Sequence, residues 1–222
     1  MSRVAVAIMA KAPVAGAVKT RLTPPLTAAD AAGLYRCFLL DKVEQVRALQ
    51  DAHGVVAYTP PEARGTFEDL APGFELLPQR GAELGARLAN GLAELLAHGH
   101  AGAVAIDSDT PTLPAAFLQQ GVEVLRRGEA DVVVGPSDDG GYYLIGVRKE
   151  RPELFDDMPW STPAVLPETL RRARAAGLTT VRLPEWFDVD TAADLERLRA
   201  SLAEPGSSSA PHTARFLAGC GR

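Results

Sequence analysis

Short apolar runs recur along the chain, each separated from the next by a stretch with helical spacing. The runs are VAVAIM (4–9), GVVAY (54–58), FELL (74–77), AVAI (103–106) and DVVVG (131–135). Most are continuous rather than alternating, which is the pattern of strands covered on both faces of a sheet. A helix is predicted from about Thr27, with Leu34, Phe38, Val43 and Val46 near helical spacing. Others are predicted over about 83–97, 114–127, 163–176 and 191–203. Thr27 with Asp30, and Thr191 with Asp194, have the spacing of a capping box, while Pro114 and Pro163 suit a first helical turn. YYLIGV (142–147) follows VVVG too closely for a crossover helix, so it is expected to pair antiparallel. Such alternation makes a three-layer α/β/α domain around a mostly parallel, mixed sheet. One domain is expected over 1–203, followed by a flexible tail over 204–222, where EPGSSSAPHT is rich in Pro, Gly and Ser.

Composition narrows the function classes. A net charge of −5 argues against a general nucleic-acid binder, which needs an extended basic surface. No apolar stretch approaches the roughly 18 residues of a membrane span. VAVAIMA is too short for a signal-peptide core and reads as a strand. The two cysteines, Cys37 and Cys220, form no CxxC pair; with Cys37 in a helical apolar pattern, they point to a reducing, cytoplasmic setting. Of the histidines His53, His98, His100 and His212, the HGH pair lies in a polar loop with no third ligand in view, so exposed loop residues are expected.

In open sheets of this kind, ligands bind outside the carboxyl ends of the strands. Four polar segments stand there: AKAPVAGAVKTRL, QRGAELGAR, DSDTP and SDDGG. The first is unusual in its charge. Arg3, Lys11, Lys19 and Arg21 are the only charged side chains before Asp30, in a chain that is acidic overall. The segment lacks the glycine that a P-loop places before its lysine, and no GxGxxG fingerprint is present. A loop of this composition can hold a di- or triphosphate through backbone N–H groups and cations, or can be a solvated basic loop. Asp107 and Asp109 end an apolar strand and suit a hard divalent cation such as Mg²⁺ or Mn²⁺, or an Asx turn before Pro111. Asp188 and Asp190 repeat the spacing, and Asp190 suits the turn into the last helix. Asp138, Asp139, Gly140 and Gly141 are also a tight-turn signal.

Taken together, MAKAPVAGAVKTRL, DSDTPTLP, GPSDDGGYYLIGV, WSTPAVLPETL and FDVDTAADL resemble a bacterial glycosyltransferase family. That family belongs to the nucleotide-diphospho-sugar transferase superfamily, with the GT-A fold, and includes proteins linked to arsenosugar biosynthesis. The resemblance runs in order from about residue 4 to 200. It implies a metal-dependent transferase that takes a nucleotide or nucleotide-sugar donor and a small-molecule acceptor. The first loop would bind the donor phosphates through Ala10, Lys11, Gly16, Lys19 and Arg21, with Gln79, Gly81 and Arg87 near the base or ribose. Asp107, Asp109 and Asp188 would hold Mg²⁺ or Mn²⁺. Asp139, Gly140, Gly141 and Tyr142 would face the transferred group or acceptor, with Trp160, Ser161 and Thr162 nearby, and Asp139 as acceptor base. Relatives of the same fold include guanylyl-, cytidylyl- and molybdopterin nucleotidyltransferases, so nucleotidyl transfer from an NTP is the alternative reaction. A nucleotide-binding module without turnover is the non-enzymatic alternative.

Overall fold

The computed structural model describes residues 2–204 and 210–219. Seven strands form one sheet in the order β3-β2-β1-β4-β6-β5-β7. They are β1 (Val4–Lys11), β2 (Ala52–Thr59), β3 (Glu75–Pro78), β4 (Gly102–Ile106), β5 (Val132–Pro136), β6 (Tyr142–Val147) and β7 (Thr180–Arg182). All pairings are parallel except those of β6, which runs antiparallel to both β4 and β5. That is the arrangement expected for YYLIGV.

The side chains of β1 show why the sheet is covered twice. Val4, Val6, Ile8 and Ala10 join a core with α1 (Ala28–Arg47), α2 (Arg64–Leu70), α4 (Ala115–Arg127) and α6 (Ala192–Ala203). Ala5 and Ala7 point the other way, into a core with α3 (Leu84–Ala97) and α5 (Val165–Ala175). Successive strand residues face opposite sides, so an unbroken apolar run feeds both layers. Each large side chain buried in this way contributes about 1.5–3 kcal/mol relative to exposure.

The predicted caps are in place at two helices. Thr27 accepts the Asp30 N–H at the start of α1, and Thr191 with Asp194 makes a full capping box at α6. Pro114 is the N-cap of α4 rather than its first turn, and α5 begins at Val165, two residues after Pro163.

The expected flexible tail needs correction. Residues Pro211–Gly219 form a seventh helix, α7, packed against α1. The buried Asp41 of α1 accepts the His212 N–H (2.9 Å), the Thr213 N–H (3.0 Å) and the Thr213 hydroxyl (2.5 Å). A carboxylate from α1 thereby caps α7 from outside. The Phe216 ring lies so close to Gly33 that a Cβ there would meet it at 2.9 Å. The Pro/Gly/Ser composition of 205–209 hid a helix anchored by contacts distant in sequence; 205–209 and 220–222, Cys220 included, lie outside the described residues.

Candidate functional site

The strand order reverses between β1 and β4, since β2 and β3 lie on one side of that pair and β6, β5 and β7 on the other. The segments that follow β1 and β4 therefore face each other across the carboxyl edge of the sheet. They line a cleft of about 260 Å³ with Lys11, Val18, Lys19, Arg21, Tyr35, Asp109 and Asp190.

Lys19 is the centre of this cleft. Its backbone is left-handed (φ 48°, ψ 36°) and its side chain is buried. The ammonium lies 2.6 Å from Asp109, 2.9 Å from Asp190 and 2.8 Å from the Val189 carbonyl. It sits 6.0 and 5.8 Å from the Tyr35 and Phe38 ring centroids. Burial works against this charge, but the two carboxylates outweigh it and hold the Lys19 pKa above its ordinary value. Arg21 is exposed and donates to the other Asp190 oxygen at 2.5 Å. Lys11, also exposed, carries the one cleft cation without an ion pair among the described residues.

Burial pushes the Tyr35 hydroxyl up to about 12, so it stays protonated. It accepts the Lys11 N–H and meets the Ser108 hydroxyl at 2.8 Å, joining the loop after β1 to the loop after β4. Replacing Lys19 by Ala is expected to destabilise the fold, because it leaves Asp109 and Asp190 facing each other. Both carboxylates remain about one-third exposed, so solvent softens the cost to about 2 kcal/mol. A drop in Tm of about 4–8 °C in a thermal scan would show it.

The acidic residues divide into two groups. Asp107 and Asp188 lie close together, both half-buried. Desolvation raises both pKa values; the Lys42 charge opposes the rise at Asp107 and the Asp109 charge adds to it, while the Asp107 charge adds to the rise at Asp188. Asp107 accepts the Thr110 hydroxyl at 2.7 Å and the Asp109 N–H at 3.3 Å, and Ser137 donates to Asp188 at 3.2 Å. Asp109 belongs instead to the Lys19 pair. The three candidate metal ligands thus share one neighbourhood without forming a single ready-made cluster. Their chemistry fits a hard cation: all are carboxylates, and two stand half-buried close to each other.

Other predicted residues hold the frame of the site. Gln79 donates to the Ala57 carbonyl (2.7 Å) and the Ala10 carbonyl (3.3 Å), tying the ends of β1 and β2 to the loop after β3. Arg87 donates to the Gly81 carbonyl at 3.0 Å, and Gly81 has φ +131°. Gly16 turns the first loop into open space with φ +79°. Asp139 is exposed and accepts the Gly141 N–H at 2.8 Å, so the tight-turn reading of SDDGG holds as geometry. Gly140 is required there: φ is +89°, and a Cβ would meet the Pro163 backbone at 2.5 Å. This contact brings the turn against 160–163, where Trp160 meets the Tyr142 ring edge-on at 6.3 Å. Ser161 is left-handed and Thr162 donates to the Pro159 carbonyl, both exposed.

Two residues escaped the sequence reading. Lys42 is fully buried, with its ammonium 2.6 Å from the Thr110 hydroxyl and 3.9 Å from Asp107. Burial lowers its pKa, against the charges of Asp107 and Asp188. Its signal was present, since Lys42 stands four residues after Phe38 and four before Val46 on the buried face of α1. Asp190 was expected only to favour a turn, yet its side chain binds Lys19 and Arg21, and Thr191 makes the cap.

Among the described residues no helix is long and apolar enough to cross a membrane. No curated protein matches the sequence. A candidate nucleotide-diphospho-sugar transferase from Desulfovibrio desulfuricans G20 is 32% identical with a TM-score of 0.90, over 99% of this chain and 95% of its own. CMP:2-keto-3-deoxy-manno-octonic acid synthetase complexed with CTP is 15% identical (TM-score 0.59, 91% of this chain, 99% of that one). 4-Diphosphocytidyl-2C-methyl-D-erythritol synthase is 13% identical (TM-score 0.58, 90% and 98%). At those two identities the likeness speaks for the fold alone. A bacterial family described as an uncharacterized protein conserved in bacteria (DUF2064) matches residues 42–162. The chain belongs to the DUF2064 family and has the mixed-sheet α/β fold of the nucleotide-diphospho-sugar transferases.

Proposed function

We propose that the protein transfers a glycosyl group from a nucleoside-diphosphate sugar to a small acceptor, with the donor diphosphate in the cleft beneath the loop after β1. The observation that carries this reading is the meeting of Lys11, Lys19 and Arg21 with the Asp107–Asp109 loop at the switch point of the sheet. The 32% identical D. desulfuricans protein supports the donor class. Lys19 and Arg21 are held by carboxylates, which fixes their positions before a ligand arrives; preorganised charge of this kind acts on a leaving group without reorganising. Lys11 meets the phosphates as an exposed charge. Asp107, Asp109 and Asp188 would hold Mg²⁺ or Mn²⁺, which when bound supplies charge neutralisation of the diphosphate.

In the transfer, the acceptor oxygen bonds to the anomeric carbon as the bond from that carbon to the diphosphate oxygen breaks. The electron pair leaves with the nucleoside diphosphate, and the acceptor proton passes to Asp139, exposed on its turn beside Tyr142.

The test incubates the protein with nucleotides and sugar nucleotides in Mg²⁺ or Mn²⁺ and identifies products by mass spectrometry. A nucleoside diphosphate with a glycosylated acceptor supports the proposal. Pyrophosphate from an NTP assigns nucleotidyl transfer instead, and binding without product across acceptors assigns a non-catalytic module. Lys11→Ala is expected to weaken donor binding about tenfold, equivalent to about 1.4 kcal/mol. As an exposed residue it should shift Tm by less than about 2 °C, so calorimetric titration and a thermal scan separate binding from folding.

A further inference from the structure

At the amino-terminal edge of the sheet, away from the cleft, the fold gathers three of the four histidines. His53 is the second residue of β2, Glu75 opens β3, His98 follows α3, and His100 precedes β4. The cleft lies at the far ends of these strands, and eight residues of β2 span roughly 25 Å. One ligand atom from each of His53, Glu75 and His100 lies within 4.8 Å of the other two. His53 Nε2 is 2.8 Å from one Glu75 oxygen, and His98 Nδ1 is 3.3 Å from the other. The His53 and His100 rings stack at 5.0 Å between centroids, 22° from parallel. These residues come from β2, β3 and the connection between α3 and β4, so the cluster is a product of the fold and not of local sequence.

We infer that His53, Glu75 and His100 form a zinc site at this edge, with His98 at its rim. The donor set decides the metal. Two imidazoles and one carboxylate, partly open to solvent, match the three protein ligands and one water of a tetrahedral Zn²⁺ centre. Mg²⁺ and Ca²⁺ prefer oxygen alone and take imidazole poorly. The ligand atoms need only small side-chain adjustments, since Zn–N and Zn–O bonds are about 2.0–2.2 Å. Zn²⁺ would take the place of the hydrogen bond between His53 and Glu75, with the neutral imidazole keeping its proton on the nitrogen that does not bind the metal. Zinc here would clip β2 and β3 to the connection between α3 and β4.

The test uses the full chain stripped with EDTA and dialysed, titrated at pH 7.5 with ZnCl₂ by calorimetry and with CoCl₂ by visible absorption. The expected result is one Zn²⁺ per chain, a tetrahedral cobalt spectrum displaced by zinc, and no such signal with Mg²⁺. His53→Ala and His100→Ala should each weaken zinc binding by about tenfold or more, and the double variant should abolish the cobalt spectrum. His53→Gln with His100→Gln repeats the test at similar side-chain volume, with circular dichroism reporting the fold. His212→Ala, which breaks the separate Asp41–Glu44–His212 group, should leave the cobalt spectrum unchanged. Absence of zinc binding in the wild type, or survival of the cobalt spectrum in the folded double variant, overturns the assignment.

Discussion

Lys42→Met is expected to cost about 3–4 kcal/mol at pH 8, a fall in Tm of about 6–16 °C, although the residue touches no solvent. Met keeps most of the stem volume, so packing is nearly conserved and the lost ammonium dominates. That ammonium is the cation nearest to the Asp107–Asp188 pair, 3.9 Å from Asp107. Its removal leaves two half-buried carboxyl groups close together with only the Thr110 and Ser137 hydroxyls and the Asp109 N–H as donors. The loss should also depend on pH in a definite direction. Both carboxyl groups have raised folded-state pKa values, through desolvation first and then through neighbouring carboxylates, Asp109 at Asp107 and Asp107 at Asp188. A raised pKa means that the folded state holds its proton more tightly than the unfolded chain does. The stability so gained is complete below the ordinary carboxylate range and disappears as pH rises through the raised values. The gap between variant and wild type should therefore be small near pH 5 and widen toward pH 8. Thermal scans in EDTA across that range measure it; a gap independent of pH would mean that Lys42 acts only through packing.

Lys42 also shows what kind of information a sequence carries. Its position between Phe38 and Val46 was readable from helical spacing, because periodicity is local. Its partners Thr110 and Asp107 are more than sixty residues away, and nothing local names them. The same division runs through the whole fold. VAVAIM, AVAI and DVVVG became strands because four or more apolar residues in succession need cover on both sides. TVR at 180–182 has no such run, and β7 exists because it pairs with β5 at the sheet edge. In α2 only Phe67 and Leu70 are buried, too few to mark an amphipathic face.

At the site, the polar segments after the strands were legible as a group, because the carboxyl edge of a parallel sheet collects them whatever their detailed contacts. Which cation meets which carboxylate was not. Lys19 looked like a phosphate ligand by charge alone, whereas folding brings it between Asp109 and Asp190, ninety and one hundred and seventy-one residues away. The spacing of Asp107 and Asp109 suggested a shared role, yet one carboxylate accepts from the Thr110 hydroxyl near Lys42 and the other pairs with Lys19.

That split makes Asp188→Asn the sharpest probe of the acidic group. An amide is close to the carboxylate in shape and carries no charge, so it removes the repulsion with Asp107. Without metal, the variant should be at least as stable as wild type at pH 8. With metal and nucleotide the order should reverse. If the carboxylates hold Mg²⁺ or Mn²⁺ against a donor diphosphate, ligand at about a hundredfold excess over its Kd adds roughly 2.7 kcal/mol to the wild type. For a chain of 222 residues this is a rise in Tm of about 5–11 °C, present with Mg²⁺ or Mn²⁺ and largely absent in EDTA. Asp188→Asn should lose most of that rise. A purely structural Asp188, valued for the hydrogen bond from Ser137, predicts the opposite pattern. The variant would then be less stable in EDTA, and its response to metal and nucleotide would match that of wild type. Thermal scans of both proteins with and without the divalent ion, using the nucleotide identified by the product screen, distinguish the two cases in one experiment.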